Sequence, residues 1–320
     1  MDERGMKALQ EEQPVISQRG FVTVATGNQK YYKLALNLLR SYRANGKSTV
    51  PFAIICDRVC PETQEFDDVI VLPNPHYSFL DKLSLYQYTP YQETIFFDAD
   101  SLVLGDTDVL WDDFANMDDF SCYGRTLPLE SRIGWFYYKD MGDLQSRIKY
   151  GISLHGGLYY LRKTERCRSI FDDAIELTKK YDQYTFYYFN KPADEPVLAL
   201  SMVLADCKPC PARGRIIFFV NHEGEVRCTA NGKLMLKGAP CEPAVVHFGT
   251  RNVSRFLYQY LLRNVEHILQ GKAGVISTSE RILLWLKCLP QEMKFKVKRF
   301  AKKHLSLKTA NKLKKLFSEG

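Results

Sequence analysis

Short apolar runs alternate with stretches of helical periodicity along the first third of the chain. GFVTVAT (20–26), PFAIICD (51–57), the run 69–72 and IFF (95–97) have the length and β-friendly side chains of buried strands. Between the first two, Tyr31, Leu34, Ala35, Leu38, Leu39 and Tyr42 share one helical face, and Asn45-Gly46 ends it. Asp81 is placed to cap a helix through about Tyr88. This alternation predicts βαβ units, hence an α/β fold with a Rossmann-like, mostly parallel central sheet and flanking helices. Further on, the pattern predicts a helix over 107–114, a strand over 119–124 and a long functional loop over 125–150. A strand over 152–161 is interrupted by His155-Gly156-Gly157. Helices are predicted over 164–180 and 193–205, then a β-rich piece over 214–248, then helices over roughly 252–270 and 277–289.

Composition fits a globular chain: 45% of the 320 residues are hydrophobic and 13% aromatic. The formal charge of +7 is a property of one segment. Ten of the 44 Lys and Arg lie in 293–317, which holds no acid; the remaining 34 face 37 acids. The body of the chain therefore lacks a nucleic-acid footprint. Nine scattered cysteines, a polar start and no run of membrane-spanning length predict reduced thiols in the cytoplasm. Cys207-x-x-Cys210 with Cys228 and Cys241 lacks close knuckle spacing in its second pair, which argues against structural zinc.

The chemistry concentrates in TIFFDADSLVLGD (94–106), where a buried strand delivers Asp98 and Asp100 to its carboxyl end. Ligands of open α/β sheets sit just beyond such ends. Two acids there are either on a solvated turn or around a hard divalent cation that can hold a phosphorylated substrate. Thr26-Gly27-Asn28 and Asp57 lie at the ends of two earlier strands, so three strand ends can build one crevice. Neither GxGxxG nor GxxxxGK[ST] is present, so a nucleotide would be held through a metal on its diphosphate.

VTVATGN, DKLSLYQYTPYQETIFFDADSLV, HGGLYYLRK, DEPVLAL and VVHFGT, in this order, resemble the nucleotide-sugar glycosyltransferases of the GT-A fold. The similarity is to the glycogenin/galactosyltransferase-like family (family eight) and spans most of 20–260. It implies that Asp98, Asp100 and His247 ligate Mn²⁺ or Mg²⁺. It further implies that Ala25, Thr26, Gly27 and Tyr31 (or Tyr32) line the base and ribose, that Asp57 bonds the base, and that Ala99 lies in the donor pocket. Lys82 would reach the diphosphate or sugar, as would Gly249, Thr250 and Arg251, with Arg251 in place of the lysine of a longer HxxGxxK pattern. Gly156 and Gly157 would let the strand approach the donor sugar, with His155 where the family has asparagine. Asp194 and Glu195 resemble the Asp-Gln pair beside the sugar and are the catalytic candidates.

The resemblance implies a retaining hexosyltransferase that uses a UDP-sugar. The expected organisation is a flexible segment 1–19, a GT-A domain 20–275 and a helical basic tail 276–320. The tail interleaves ten charges with apolar faces (Val297, Phe300, Ala301; Leu313, Leu316, Phe317), a pattern suited to an anionic bilayer. The expected protein is a cytoplasmic enzyme on the inner face of a membrane, with a glycan or lipid-linked saccharide acceptor and no nucleic-acid partner. Two alternatives are a haloacid-dehalogenase-like phosphatase and a sugar-binding GT-A module without turnover.

Overall fold

The first apolar run becomes β1 (Ser17–Ala25), which starts three residues before the pattern of buried positions does. The structure, a computed structural model, describes residues 13–132, 134–229 and 231–304, with 298 and 300–304 described by backbone alone. Residues 1–12 of the amino-terminal segment lie outside this range. Within it, Gln13 N donates to Gln87 O (3.0 Å) and Ile16 N to Pro90 O (2.8 Å), so the approach to β1 is bonded to the chain.

Helix α1 (Gln29–Asn45) follows, with the Asn28 side chain accepting from Lys30 N. Then come β2 (Phe52–Cys56), buried throughout, and β3 (Asp68–Val71). The helix expected from Asp81 is a 3-10 turn over Phe79–Ser84 capped by Ser78, running into a single α-turn, α2 (Leu85–Tyr88). Asp81 is not the cap, because its carboxylate points back to Thr26 Oγ1 (2.6 Å) and His76 N (2.6 Å).

The chain continues through β4 (Tyr91–Phe97), β5 (Ser101–Val103), α3 (Asp108–Phe114) and β6 (Phe120–Leu127). After the irregular segment come β7 (Gly151–Arg162), α4 (Glu165–Lys179), α5 (Asp194–Leu204) and β8 (Ile216–Phe218). Strands β9 (Val226–Cys228), β10 (Leu234–Leu236) and β11 (Ala239–Pro240) form a small antiparallel sheet. Last are β12 (Val245–His247), α6 (Phe256–Leu269) and α7 (Thr278–His304).

The chain forms two compact units: one runs through Phe218 and includes Pro243–His247, and the other holds Phe219–Glu242 and the residues from Phe248 onward. The first is built on a six-stranded sheet of order β3-β2-β1-β4-β7-β6. Its first four strands are parallel, while β7 runs antiparallel to β4 and β6. The strand order reverses direction between β1 and β4, which is where a parallel sheet opens its ligand crevice. Aromatic pairs fill the layers on the sheet, among them Phe21–Phe97 at 5.1 Å and Phe96–Tyr159 at 5.6 Å. A second sheet, β5-β12-β8, places His247 opposite both Ser101 and Phe218.

In the second unit, α7 does not stop at 289. It passes Pro290, which removes one donor from the ladder, and reaches 304. Glu292, just beyond the proline, accepts from Arg255 (3.2 and 3.3 Å) and from Phe256 N (3.1 Å) at the start of α6. A carboxylate on an uncapped helix start satisfies an orphan donor and opposes the helix dipole, and this anchor is what the residue pattern lacked. Of the tail faces, Val297 is described, and Leu313, Leu316 and Phe317 lie outside the described residues.

Candidate active site

The end of β4 and the register of β12 create the site. Asp98 follows β4, with its backbone N–H bonded to Gly157 O (3.0 Å) across the antiparallel pairing with β7. Because β12 pairs with β5 so that His247 faces Ser101, the imidazole arrives beside the two acids. His247 Nε2 lies 3.0 Å from Asp100 Oδ1 and 3.6 Å from Asp98 Oδ2. Two carboxylate oxygens and one imidazole nitrogen all within 4.8 Å form the one group of this kind among the described residues. The cysteines form no such group there and all nine are free thiols.

The glycines of β7 make this possible by being absent side chains. A Cβ on Gly157 would sit 2.6 Å from His247 Nδ1, and one on Gly156 would sit 2.6 Å from Glu195 Cγ and 2.8 Å from the Tyr159 hydroxyl. The pair leaves room for these protein side chains. His155 stacks on Phe218 (3.8 Å between centroids, 13°), and Phe218 meets the His247 ring edge-on.

Lys82 is the hub of the site. It is 7% exposed, and its ammonium contacts Asp98 Oδ2 (2.9 Å), Asp194 Oδ2 (3.3 Å) and Gly156 O (3.4 Å). The ammonium thus sits between two carboxylates and a backbone carbonyl of the protein. Asp194, in the first turn of α5 and 2% exposed, also accepts from the Tyr159 hydroxyl at 2.7 Å. Glu195 Oε1 accepts from Gly156 N at 2.5 Å.

The charges respond to each other. Burial would push Asp98 upward, but the Lys82 and His247 charges hold its carboxyl far below the usual range. Burial works against the Lys82 charge too, and Asp194 and Asp98 keep it well above an ordinary lysine. His247 is buried yet lifted to about 10 by Asp100 and Asp98. Burial, and then the Asp194 charge, raise Glu195 to about 7.

This donor set fits a divalent cation. Asp98, Asp100 and Asp194 offset by Lys82 leave two negative charges around hard oxygen donors, with one imidazole added. His247 Nδ1 is buried without a hydrogen-bond partner among the described residues, while Nε2, the atom that would ligate a cation there, faces both carboxylates.

A second cluster lies at the ends of β1 and β2. Asp57 accepts from Gly27 N (2.8 Å) and from the Tyr32 hydroxyl, and Arg58 lies over the Tyr32 ring at 4.5 Å. Burial would raise Asp57, and these hydrogen bonds bring it below the usual carboxylate range. Tyr32 is buried and Tyr31 exposed, so the two tyrosines divide into a packing residue and a surface one. Ala25 and Ala99 are buried beside their strand ends. Thr26 is tied to Asp81, a link with no signal in the sequence because Asp81 lies 55 residues on. Tyr77 is also new to the site: it is held at φ +53° and 64% exposed, and a Cβ on Gly27 would come within 3.0 Å of its ring.

Gly249, Thr250 and Arg251 belong to the second unit. There Gly249 adopts φ +71°, Asn252 N bonds Gly249 O (2.8 Å), and the exposed Arg251 lies 3.6 Å from Glu223.

No family model matches the sequence, and no curated protein matches it either. Solved structures do. The galactosyltransferase LgtC, in complex with donor and acceptor sugar analogues, aligns with a TM-score of 0.50 and 15% identity over 82% of this chain and 99% of that one. The chain has the GT-A glycosyltransferase fold. The glycosyltransferase GlyE of Streptococcus pneumoniae TIGR4 aligns at 0.46 and 12% identity over 84% of this chain and 63% of its own. Mouse xyloside xylosyltransferase 1 aligns at 0.44 and 10% over 73% and 98%. With the GT-A fold in place, the phosphatase alternative is not favoured.

Proposed function

We propose that this GT-A chain is a metal-dependent glycosyltransferase that moves a hexose from UDP-hexose to a glycan or lipid-linked saccharide, with retention of configuration. The observation that carries the reading is the convergence of Asp98, Asp100 and His247 from β4 and β12 at one point, beside Lys82 and Asp194. Asp98, Asp100 and His247 would hold Mn²⁺ or Mg²⁺, which when bound neutralises charge on a leaving diphosphate. Asp57 and Gly27 take the base, with Tyr31 and Tyr77 as the exposed rings available to stack on it. Asp194 and Glu195 face the anomeric centre, where positive charge develops in an oxocarbenium-like transition state. Lys82 lies between Asp98 and Asp194, so one acid serves the metal side and the other the sugar side.

The reading includes a peripheral position on the inner, cytoplasmic face of a membrane. Ile282, Leu283, Trp285, Leu286 and Met293 are all exposed on α7, next to the basic segment that begins at Lys294. No helix among the described residues is long and apolar enough to cross a membrane. An apolar helix face with adjacent Lys and Arg suits the surface of an anionic bilayer.

The deciding experiment is a panel of UDP- and GDP-sugars scored for Mn²⁺-dependent thermal stabilisation and donor hydrolysis, with wild type beside Asp100→Asn. UDP-hexoses should stabilise and be hydrolysed by wild type alone. Full activity of Asp100→Asn in excess EDTA would end the metal-dependent reading.

A further inference from the structure

The irregular segments on either side of β7 and α4 are tied together. Phe136 and Phe186 form an antiparallel bridge, Tyr187 N donates to Trp135 O at 2.8 Å, and Tyr181 stacks on Phe186 at 4.5 Å. From this seam a row of rings continues. Tyr188 meets Trp135 edge-on (5.6 Å, 88°), Trp135 meets Phe189 (5.5 Å), and Phe189 meets Phe79 (6.1 Å). The row ends at the candidate site: the Lys82 ammonium lies 5.6 Å from the Phe79 centroid. Trp135 Nε1 also donates to Leu154 O (3.1 Å), directly before His155-Gly156-Gly157.

Two of these rings gain little from the core. Tyr188 is 76% exposed and Phe79 56% exposed. Tyr188 moreover adopts φ +71°, a conformation that disfavours a tyrosine, and such strain collects where function requires a fixed side chain. Two exposed rings linked through the half-buried Trp135 and Phe189 make one aromatic patch, a feature that marks a binding surface. Because the backbone seam already fixes the rings, a ligand stacking on them loses little further entropy to ordering.

The chemistry of the row selects its occupant. The rings offer flat apolar faces and one hydroxyl, and none carries charge, which suits a pyranose: axial C–H groups lie on a ring and hydroxyls point to the rim. A nucleic acid would also stack, but it would bring its phosphates toward Asp98, Asp100 and Asp194, three carboxylates that outnumber the nearby Lys82 and His247 cations. We propose that Tyr188, Trp135, Phe189 and Phe79 form the platform on which a saccharide acceptor stacks. This inference rests on the glycosyltransferase reading.

The test uses the full chain and Tyr188→Gly, which removes the ring with a residue suited to the positive φ, and Tyr188→Trp, which keeps a stacking face. Saturation-transfer NMR with lactose, maltose and chitobiose reads contact between sugar C–H protons and protein. Wild type and Tyr188→Trp should show it, and Tyr188→Gly should bind roughly tenfold more weakly. Equal contact in Tyr188→Gly, contact with none of the three sugars, or preferential contact with an RNA oligonucleotide would each overturn the platform. Mn²⁺-dependent stabilisation by UDP, measured on the same samples, tests the transferase reading separately. Its absence alongside intact sugar contact would remove the acceptor role and leave a saccharide site.

Discussion

Replacing Gly157 by alanine is the sharpest test of how the site is assembled. Gly157 is not in the left-handed region, so alanine carries no backbone strain, and the whole effect comes from the new methyl group. That Cβ would lie 2.6 Å from His247 Nδ1 and 2.7 Å from Cγ. Ordinary contact begins near 3.4 Å, so the ring must retreat by about 0.8 Å, whereas metal–ligand distances tolerate only about ±0.2 Å. His247 is held between Phe218 and the two acids, so little room exists to absorb the shift. Loss of an outer-shell partner alone weakens a metal site by about 10- to 100-fold, and displacing a ligand should reach at least the upper figure. Overpacking should also lower stability by about 1–3 kcal/mol. Mn²⁺ titration in the presence of UDP, followed by the spin-resonance signal of free Mn²⁺, reads the first effect; chemical denaturation in EDTA reads the second. Gly156→Ala is the matched control: its Cβ meets Glu195 and Tyr159, so it should bind Mn²⁺ normally and lose turnover. Wild-type Mn²⁺ affinity in Gly157→Ala would refute the placement of His247 in the ligand set.

Two further outcomes follow from the charges and the exposed faces. Glu195, raised to about 7 from 4.5, contributes stability that is fully present below about pH 4.5 and is lost as pH rises through 7. In EDTA, the stability of wild type relative to Glu195→Gln should therefore fall between pH 5 and 8; a constant difference across that span would show that the carboxyl is not titrating there. On α7, Leu283→Ser with Leu286→Ser should leave thermal stability unchanged, since both side chains are exposed. Burying one such side chain is worth about 1.5–3 kcal/mol, so the pair should weaken binding to phosphatidylserine vesicles by at least roughly tenfold; unchanged sedimentation with vesicles would exclude this face as the contact.

Much of the framework was legible because it is local. β1, β2 and β4 announce themselves as apolar runs, α1 by its face and its Asn45-Gly46 end, and the two acids by following a strand. What escaped is long-range. Nothing near Asp81 indicates that it will bond Thr26, and nothing near Lys82 shows that three acceptors from β4, β7 and α5 will enclose it. The antiparallel entry of β7 beside β4 is equally invisible, since an apolar strand reads the same in either direction. At α7, Pro290 is a sound local reason to end a helix, and the Glu292–Arg255 pair overrides it.

The glycine pair illustrates the difference between a motif and its cause. In sequence, two glycines in a strand signal close approach, and the natural partner to imagine is a substrate. In the structure the approaching groups belong to the protein itself: His247 on one glycine, Glu195 and Tyr159 on the next. Adjacent strand residues point to opposite faces, so Gly156 and Gly157 can serve two side chains from two elements at once. Gly157 clears the place where β12 delivers the third metal-type ligand. Gly156 clears the first turn of α5, and its carbonyl and N–H then bind Lys82 and Glu195. Asp98 and Asp100 on one side and Asp194 and Glu195 on the other are thus spaced by one dipeptide, with Lys82 contacting both Asp98 and Asp194. A change at Gly156 should therefore remove turnover while leaving cation binding intact, which no substitution of Lys82 could do, because that residue contacts both Asp98 and Asp194.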